Sequence, residues 1–126
     1  MPAAKPQKKR MNLTKKADAL FSKITRAGGV CEIGHVSKCP SGNLQCAHGF
    51  SRRYLATRWD FRNSFSACAG CHYWFTERPL EWECFLRERW GDERYDELRA
   101  LALRGPKPDF DELIPALEAR LAEVSA

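Results

Sequence analysis

Ala17, Leu20, Phe21 and Ile24 recur three and four positions apart, which predicts an amphipathic helix over about residues 14–27. The Gly28-Gly29 pair ends it. From Cys31 to Gly42 the periodicity disappears, and Pro40-Ser41-Gly42 carries turn chemistry, so a cysteine-bearing loop is expected there. Leu44–His48 is short and stopped by Gly49, and reads as a strand; Asn63–Ala67 alternates and reads as a second. A hairpin joining the two turns through residues 50–58. Helical character returns at Cys68-x-x-Cys71 and carries His72 to Thr76.

Pro79 suits the first turn of the next helix, whose apolar face is Trp82, Phe85, Leu86 and Trp90, with Cys84 expected in the core beside Phe85 and Gly91 as the stop. Asp92 is placed as the cap of a further helix that buries Tyr95, Leu98, Leu101 and Ala102 up to Gly105-Pro106. The last helix carries Leu117, Leu121 and Val124 and is expected to begin at Pro115, with Asp109 as the alternative cap of an earlier start. Residues 1–12 are rich in Pro, Lys and Gln, have nothing to bury, and are expected to be disordered. The pattern gives an α+β fold: an N-terminal helix, a hairpin-helix core at about 42–78 and a C-terminal helical wrap over 79–126. Together these make one domain over 14–126 behind a basic tail, 1–13.

Composition narrows the class without naming an activity. A chain of 126 residues is enough for one domain with a modest core. No apolar run approaches the roughly 18 residues of a membrane span, and the first ten residues lack the apolar segment of a secretory signal. The expectation is a soluble cytoplasmic protein with reduced thiols, whose clustered cysteines bind metal rather than form disulfides. The net charge of +5 is uneven: residues 1–16 hold six bases and no acid, 17–80 hold eight bases and four acids, and 81–126 hold seven bases against twelve acids. The basic half can lie along a polyanion while the acidic end faces away, which favours nucleic acid as the partner.

The chemistry is concentrated in the hairpin region. Cys68 and Cys71 form half of a tetrahedral zinc site, and Cys31 and Cys39 are the candidates for the other half, with His35 or Cys46 as alternates to Cys39. A hairpin brings His48 and Asn63 side by side, so that the Asn63 oxygen can accept the Nδ1 proton of His48 and leave Nε2 free to take a proton from water. His72, one residue past the C-x-x-C pair, can point back into the same cleft and ligate a divalent ion at a second, open site. Arg52, Arg53, Arg58 and Arg62 lie between the strands and are expected to contact phosphates, although Arg58 and Asp60 can instead pair with each other. Trp59, Tyr73, Trp74 and Phe75 could stack on bases, but packing is the better expectation for them.

Leu44-Gln-Cys-Ala-His48-Gly-Phe-Ser-Arg-Arg53, then Ala56-Thr-Arg-Trp-Asp60-x-x-Asn63, then Cys68-x-x-Cys71-His72 resembles the HNH, or ββα-metal, endonucleases. Within them it is similar to the NinG-type phage recombination nucleases, over roughly residues 17–104. The resemblance implies a zinc-stapled ββα-metal core. In it His48 is the general base, Asn63 its orienting partner and His72 the ligand of a catalytic Mg²⁺ or Mn²⁺, beside a structural Zn²⁺. It implies hydrolysis of DNA, with double-stranded DNA as the expected substrate, to a 5′-phosphate and a 3′-hydroxyl; nothing in the sequence resembles a base-reading helix, so little sequence preference is expected. The setting implied is the cytoplasm of a phage host, with phage replication, recombination or packaging proteins as further partners. Two departures stand out. Many such enzymes carry an Asp where this chain has Ala47, so a second ligand would have to come from Cys46, Asp60 or a backbone carbonyl; and Gly34 stands where many have a second upstream cysteine. The rival expectations are a non-catalytic zinc-knuckle DNA-binding module and a nuclease directed at RNA.

Overall fold

The computed structural model describes residues 5–126, with side chains from residue 12 onward. Six helices and one two-stranded antiparallel sheet form a small α+β fold among the described residues. The order is α1 (Lys5–Thr25), β1 (Leu44–His48), the short α2 (Leu55–Arg58), β2 (Ser64–Cys68), α3 (Ala69–Thr76), α4 (Pro79–Trp90), α5 (Asp92–Arg104) and α6 (Phe110–Ser125), with a single 3₁₀ turn at Phe61–Asn63 before β2.

Helix α1 begins nine residues before the apolar pattern that predicts it. Residues 5–13 are helical rather than a disordered tail, whereas the same expectation for residues 1–4 lies outside the described residues. Lys, Gln, Arg and Met are good helix formers, and Pro6 falls in the first turn, where its missing N–H costs nothing. Once tertiary contacts at Ala17, Phe21 and Ile24 anchor the helix, propagation toward the N-terminus needs no burial of its own.

Two further boundaries and one burial differ from expectation. Asp92 is the first residue of α5 rather than its cap, which Gly91 supplies without a side-chain bond. Asp109 caps α6 by accepting a hydrogen bond from the Asp111 N–H, so Pro115 sits inside that helix. Cys84 is exposed, because Leu86 takes the buried position on α4.

In the sheet, Leu44 faces Cys68, Cys46 faces Ser66 and His48 faces Ser64 across the ladder. Alternate side chains leave opposite faces of β1, and the two faces meet different cores. Ala47, Phe65, Ala67, Cys68, Cys71, Phe75, Leu86 and Tyr95 pack together beneath α3 and α4. On the other side, Ala17, Phe21, Ile24, Trp59, Ile114 and Leu117 join α1 to α6, with Cys46 packed against them.

The outer edge of β2 is covered. The Glu32 backbone N–H donates to the Ser66 carbonyl at 2.7 Å, and the Glu32 carboxylate accepts the Ser66 N–H at 2.6 Å. The edge of β1 is not covered in this way, and it floors a cleft. No helix among the described residues is long and apolar enough to cross a membrane.

Candidate functional site: a two-histidine cleft beside a four-cysteine cluster

All of Leu44–Gly49 lines a cleft of about 880 Å³. Helix α1 walls one side with Asp18, Phe21 and Ser22, joined by Arg26 just past its end, and the start of α4 with α3 walls the other. His48 and His72 both line it, as does Arg52. His48 comes from the α1 face of the hairpin and His72 from α3, so the open strand edge is where the two imidazoles meet one space.

His48 is half-buried, its ring stacked on Phe21 with centroids 5.7 Å apart and planes 23° apart. Its Nε2 lies 2.9 Å from the Arg58 carbonyl oxygen. A carbonyl can only accept, so Nε2 carries the proton and Nδ1 is the basic atom, without a hydrogen-bond partner among the described residues. This reverses the orientation expected from sequence. Burial lowers the His48 pKa, with the Arg52 and Arg58 charges adding to it against the Arg58 carbonyl and Asp18.

No hydrogen bond joins Asn63 to His48. It is fully buried in the 3₁₀ turn that precedes β2, where Oδ1 accepts the Phe50 N–H at 2.7 Å and Nδ2 donates to the Phe50 and Thr57 carbonyls, each at 3.1 Å. The side chain therefore closes the loop between the strands on itself. Gly49 lets it do so: a Cβ there would lie 2.8 Å from Asn63 Oδ1 and 2.4 Å from the Trp90 ring. The loop so fastened includes Arg58, whose carbonyl holds His48.

His72 is held by Gln45, whose Oε1 lies 2.7 Å from His72 Nδ1. That places the proton on Nδ1 and leaves Nε2 as the available donor atom. Burial lowers the His72 pKa and the Arg52 charge adds to it, so the ring is neutral at pH 7. Gln45 drew no attention in the sequence as an individual residue; the signal was its place on the strand face shared with Ala47, which turns toward α3.

The arginines divide. Arg58 makes a bidentate pair with Asp18, at 3.0 Å from Nε and 2.6 Å from Nη2, rather than with Asp60. Asp60 pairs instead with Arg62, at 3.1 and 2.6 Å. Burial would raise the Asp60 pKa, but its hydrogen bonds from Arg62 outweigh that and hold the carboxyl low. Two of the four guanidinium groups expected at phosphates, those of Arg58 and Arg62, are thus engaged within the protein. Arg52 and Arg53 are exposed, and neither side chain has an ion-pair partner among the described residues. Of the aromatics, Trp59 and Phe75 are buried and Trp74 is half-buried, while Tyr73 is 68% exposed.

The four sulfurs of Cys31, Cys39, Cys68 and Cys71 all lie within 4.8 Å of one another, close enough to hold a metal such as zinc. Cys68 and Cys39 Sγ are 3.9 Å apart. Backbone N–H groups converge on the cluster: Gly34 and Cys68 on Cys31 (3.5 and 3.3 Å), His35 and Val36 on Cys71 (3.2 and 3.4 Å), and Cys71 on Cys68 (3.4 Å). Burial would raise the Cys31 pKa, but the backbone donors from Gly34, Cys68 and Ile33 outweigh it and bring the thiol to about 6. Cys39 is pushed up by burial and by its sulfur neighbours. Thiols that cannot all ionise together unaided, ringed by N–H donors, suit a divalent cation that would stabilise four thiolates at once.

Neither alternate ligand belongs to the cluster. The His35 ring packs against Trp74 and Phe75, at centroid distances of 4.2 and 4.9 Å. Cys46 lies on the α1 side of the sheet, where burial raises its pKa and keeps it a thiol.

A second metal in the cleft would meet a sparse donor set. Ala47 is buried in the core, and Asp18, the one acid lining the cleft, is engaged by Arg58 and Trp59. His72 Nε2 and His48 Nδ1 are the unengaged ring nitrogens that remain, a set that suits an ion completed by water and other oxygen ligands rather than a protein-built cage. No family model, curated protein or solved structure matches the chain.

Proposed function

We propose that the chain is a metal-dependent endonuclease of the HNH, ββα-metal type, which hydrolyses DNA phosphodiesters with little sequence preference. The observation that carries the reading is a single cleft lined by two histidines, each fixed by an acceptor at one ring nitrogen and unengaged at the other. A protein that only binds DNA has no need of two imidazoles held in defined tautomers. A two-stranded antiparallel hairpin followed by α3, with Cys68 and Cys71 at their junction, supports this reading of the fold. The cysteine cluster holds a structural Zn²⁺ in this reading, and Mg²⁺ or Mn²⁺ serves the cleft.

The roles follow from the atoms. Arg52, exposed and close enough to depress both imidazoles, draws the phosphodiester into the cleft. His48 Nδ1 accepts a proton from a water as the water oxygen attacks phosphorus, while the Nε2–H bond to Arg58 O holds the ring and steadies the imidazolium that forms. His72 Nε2, aligned by Gln45, would hold the divalent ion, which when bound supplies neutralisation of charge at the phosphate and the departing 3′-oxygen. The P–O3′ bond breaks with its electron pair on the 3′-oxygen, which takes a proton from solvent water, giving a 5′-phosphate and a 3′-hydroxyl.

The absence of a free carboxylate in the cleft favours one rival, a zinc-stabilised DNA-binding module that does not cut. Supercoiled plasmid separates the two. Nicking on addition of Mg²⁺, Mn²⁺ or a related ion, with 5′-phosphate ends and loss in His72→Ala, supports the nuclease. Tight binding with no cleavage under any ion supports the module. Preferential cutting of RNA would move the same chemistry to another substrate.

A further inference from the structure

Asp18 lies on α1, outside the strands and α3 that carry the two histidines, yet three hydrogen bonds link it to the side chains of Arg58, whose carbonyl holds His48, and Trp59. Its Oδ1 accepts from Arg58 Nε at 3.0 Å and from the buried Trp59 Nε1 at 2.9 Å, and its Oδ2 accepts from Arg58 Nη2 at 2.6 Å. Residues 58 and 59 are thereby clamped as consecutive side chains on one carboxylate. The Arg58 carbonyl, at the end of the four-residue α2, is the group that receives His48 Nε2–H. A short helix end is a weakly fixed place for a carbonyl that must set a tautomer. One turn along α1, Phe21 stacks on the ring it orients. Helix α1 thus defines both the plane of the His48 ring and its hydrogen-bond partner.

We propose that Asp18 is a positioning residue for His48, acting through the Arg58 backbone so that the base is set only when α1 is docked. The functional consequence rests on the reading of His48 as the general base; the structural consequence does not. Helix α1 is docked in turn by α6, through Ala17, Phe21, Ile24, Ile114 and Leu117. The C-terminal helix is therefore part of what makes the cleft competent, although no α6 residue lines it.

Asp18→Asn keeps an oxygen for Trp59 but removes the charge that holds the guanidinium. Nitrogen-15 imidazole spectra of the full, metal-loaded chain are expected to show one His48 tautomer, protonated at Nε2, in the wild type. In Asp18→Asn they are expected to show a mixture of tautomers. On DNA, the same variant is expected to lose about 100-fold in kcat with KM little changed, the scale of a misplaced catalytic group. Arg58→Met severs the clamp from the other side while retaining the carbonyl, and is expected to give the same spectrum should Asp18→Asn fold poorly. An unchanged tautomer in both variants overturns the proposal, as does a kcat in Asp18→Asn equal to that of a wild type that cuts. A wild type that cuts nothing but shows the Asp18-dependent tautomer instead sinks the nuclease reading alone.

Discussion

Asn63→Ala separates a latch from a catalytic orienting partner. In the folded protein this fully buried amide satisfies three main-chain groups: the Phe50 N–H, the Phe50 carbonyl and the Thr57 carbonyl. Truncation leaves all three without that partner, and each buried polar group left unpaired costs about 1–3 kcal/mol. Water entering the vacated space recovers part of this, so the expected loss is about 3–5 kcal/mol, a large share of the roughly 5–15 kcal/mol of a typical domain. Asn63→Asp is a sharper version. It keeps the acceptor for Phe50 N–H but turns a carboxylate oxygen toward two carbonyls, so it should be at least as damaging at pH 7 and milder once the acid is protonated and can donate. Urea unfolding of the metal-loaded protein, with the slope checked for constancy, measures both. A loss below about 1 kcal/mol for Asn63→Ala, or a well-tolerated Asn63→Asp at pH 7, would refute the latch.

Other consequences are open to simpler experiments. Metal analysis should find one tightly held equivalent that Cys71→Ser loses and that Cys46→Ser and Cys84→Ser retain, and its removal by chelator should cost several kcal/mol of stability, roughly; loss of the metal in Cys46→Ser would contradict the cluster. Because burial lowers both imidazole pKa values, the two rings stay neutral until the pH falls below the usual 6.5. The acid limb of kcat/KM, which reports the free enzyme, should therefore have its midpoint below 6.5. Over the same window the unfolded chain binds more protons than the folded one, so stability should also fall as the pH drops below 6.5. A midpoint at or above 6.5 would count against the buried pair. Arg52→Ala should weaken DNA binding and reduce the salt slope by about one, whereas Arg62→Ala, whose guanidinium is tied to Asp60, should leave the slope nearly unchanged; equal slopes for both would contradict the division.

How far the sequence could be read depended on whether a feature was local. The hairpin strands and the helix after Cys71 were legible, because turn residues and apolar spacing act over a few positions. So was the pairing of Cys31 and Cys39 with Cys68 and Cys71, despite the long upstream spacing: four thiols in one small fold have few places to converge. The helical start of the chain was not legible, because propagation from an anchored helix leaves no hydrophobic trace. Least visible was the wiring of the cleft. Asn63 was assigned to His48 when it closes its own loop, and Arg58 to phosphate or Asp60 when it holds Asp18, forty residues away. Hydrogen bonds over such separations have no periodic signature, so Asp18 and Gln45 became informative only once α1 and β1 were placed together.

The central claim is that His48 takes a proton from the attacking water. Single-turnover cleavage of saturated DNA reads that step apart from binding, and proton transfer by a positioned side chain contributes about 100-fold to 10,000-fold. The account predicts that His48→Ala binds DNA as the wild type does and cleaves slower by a factor in that range. Cleavage by the mutant at the wild-type rate would contradict it.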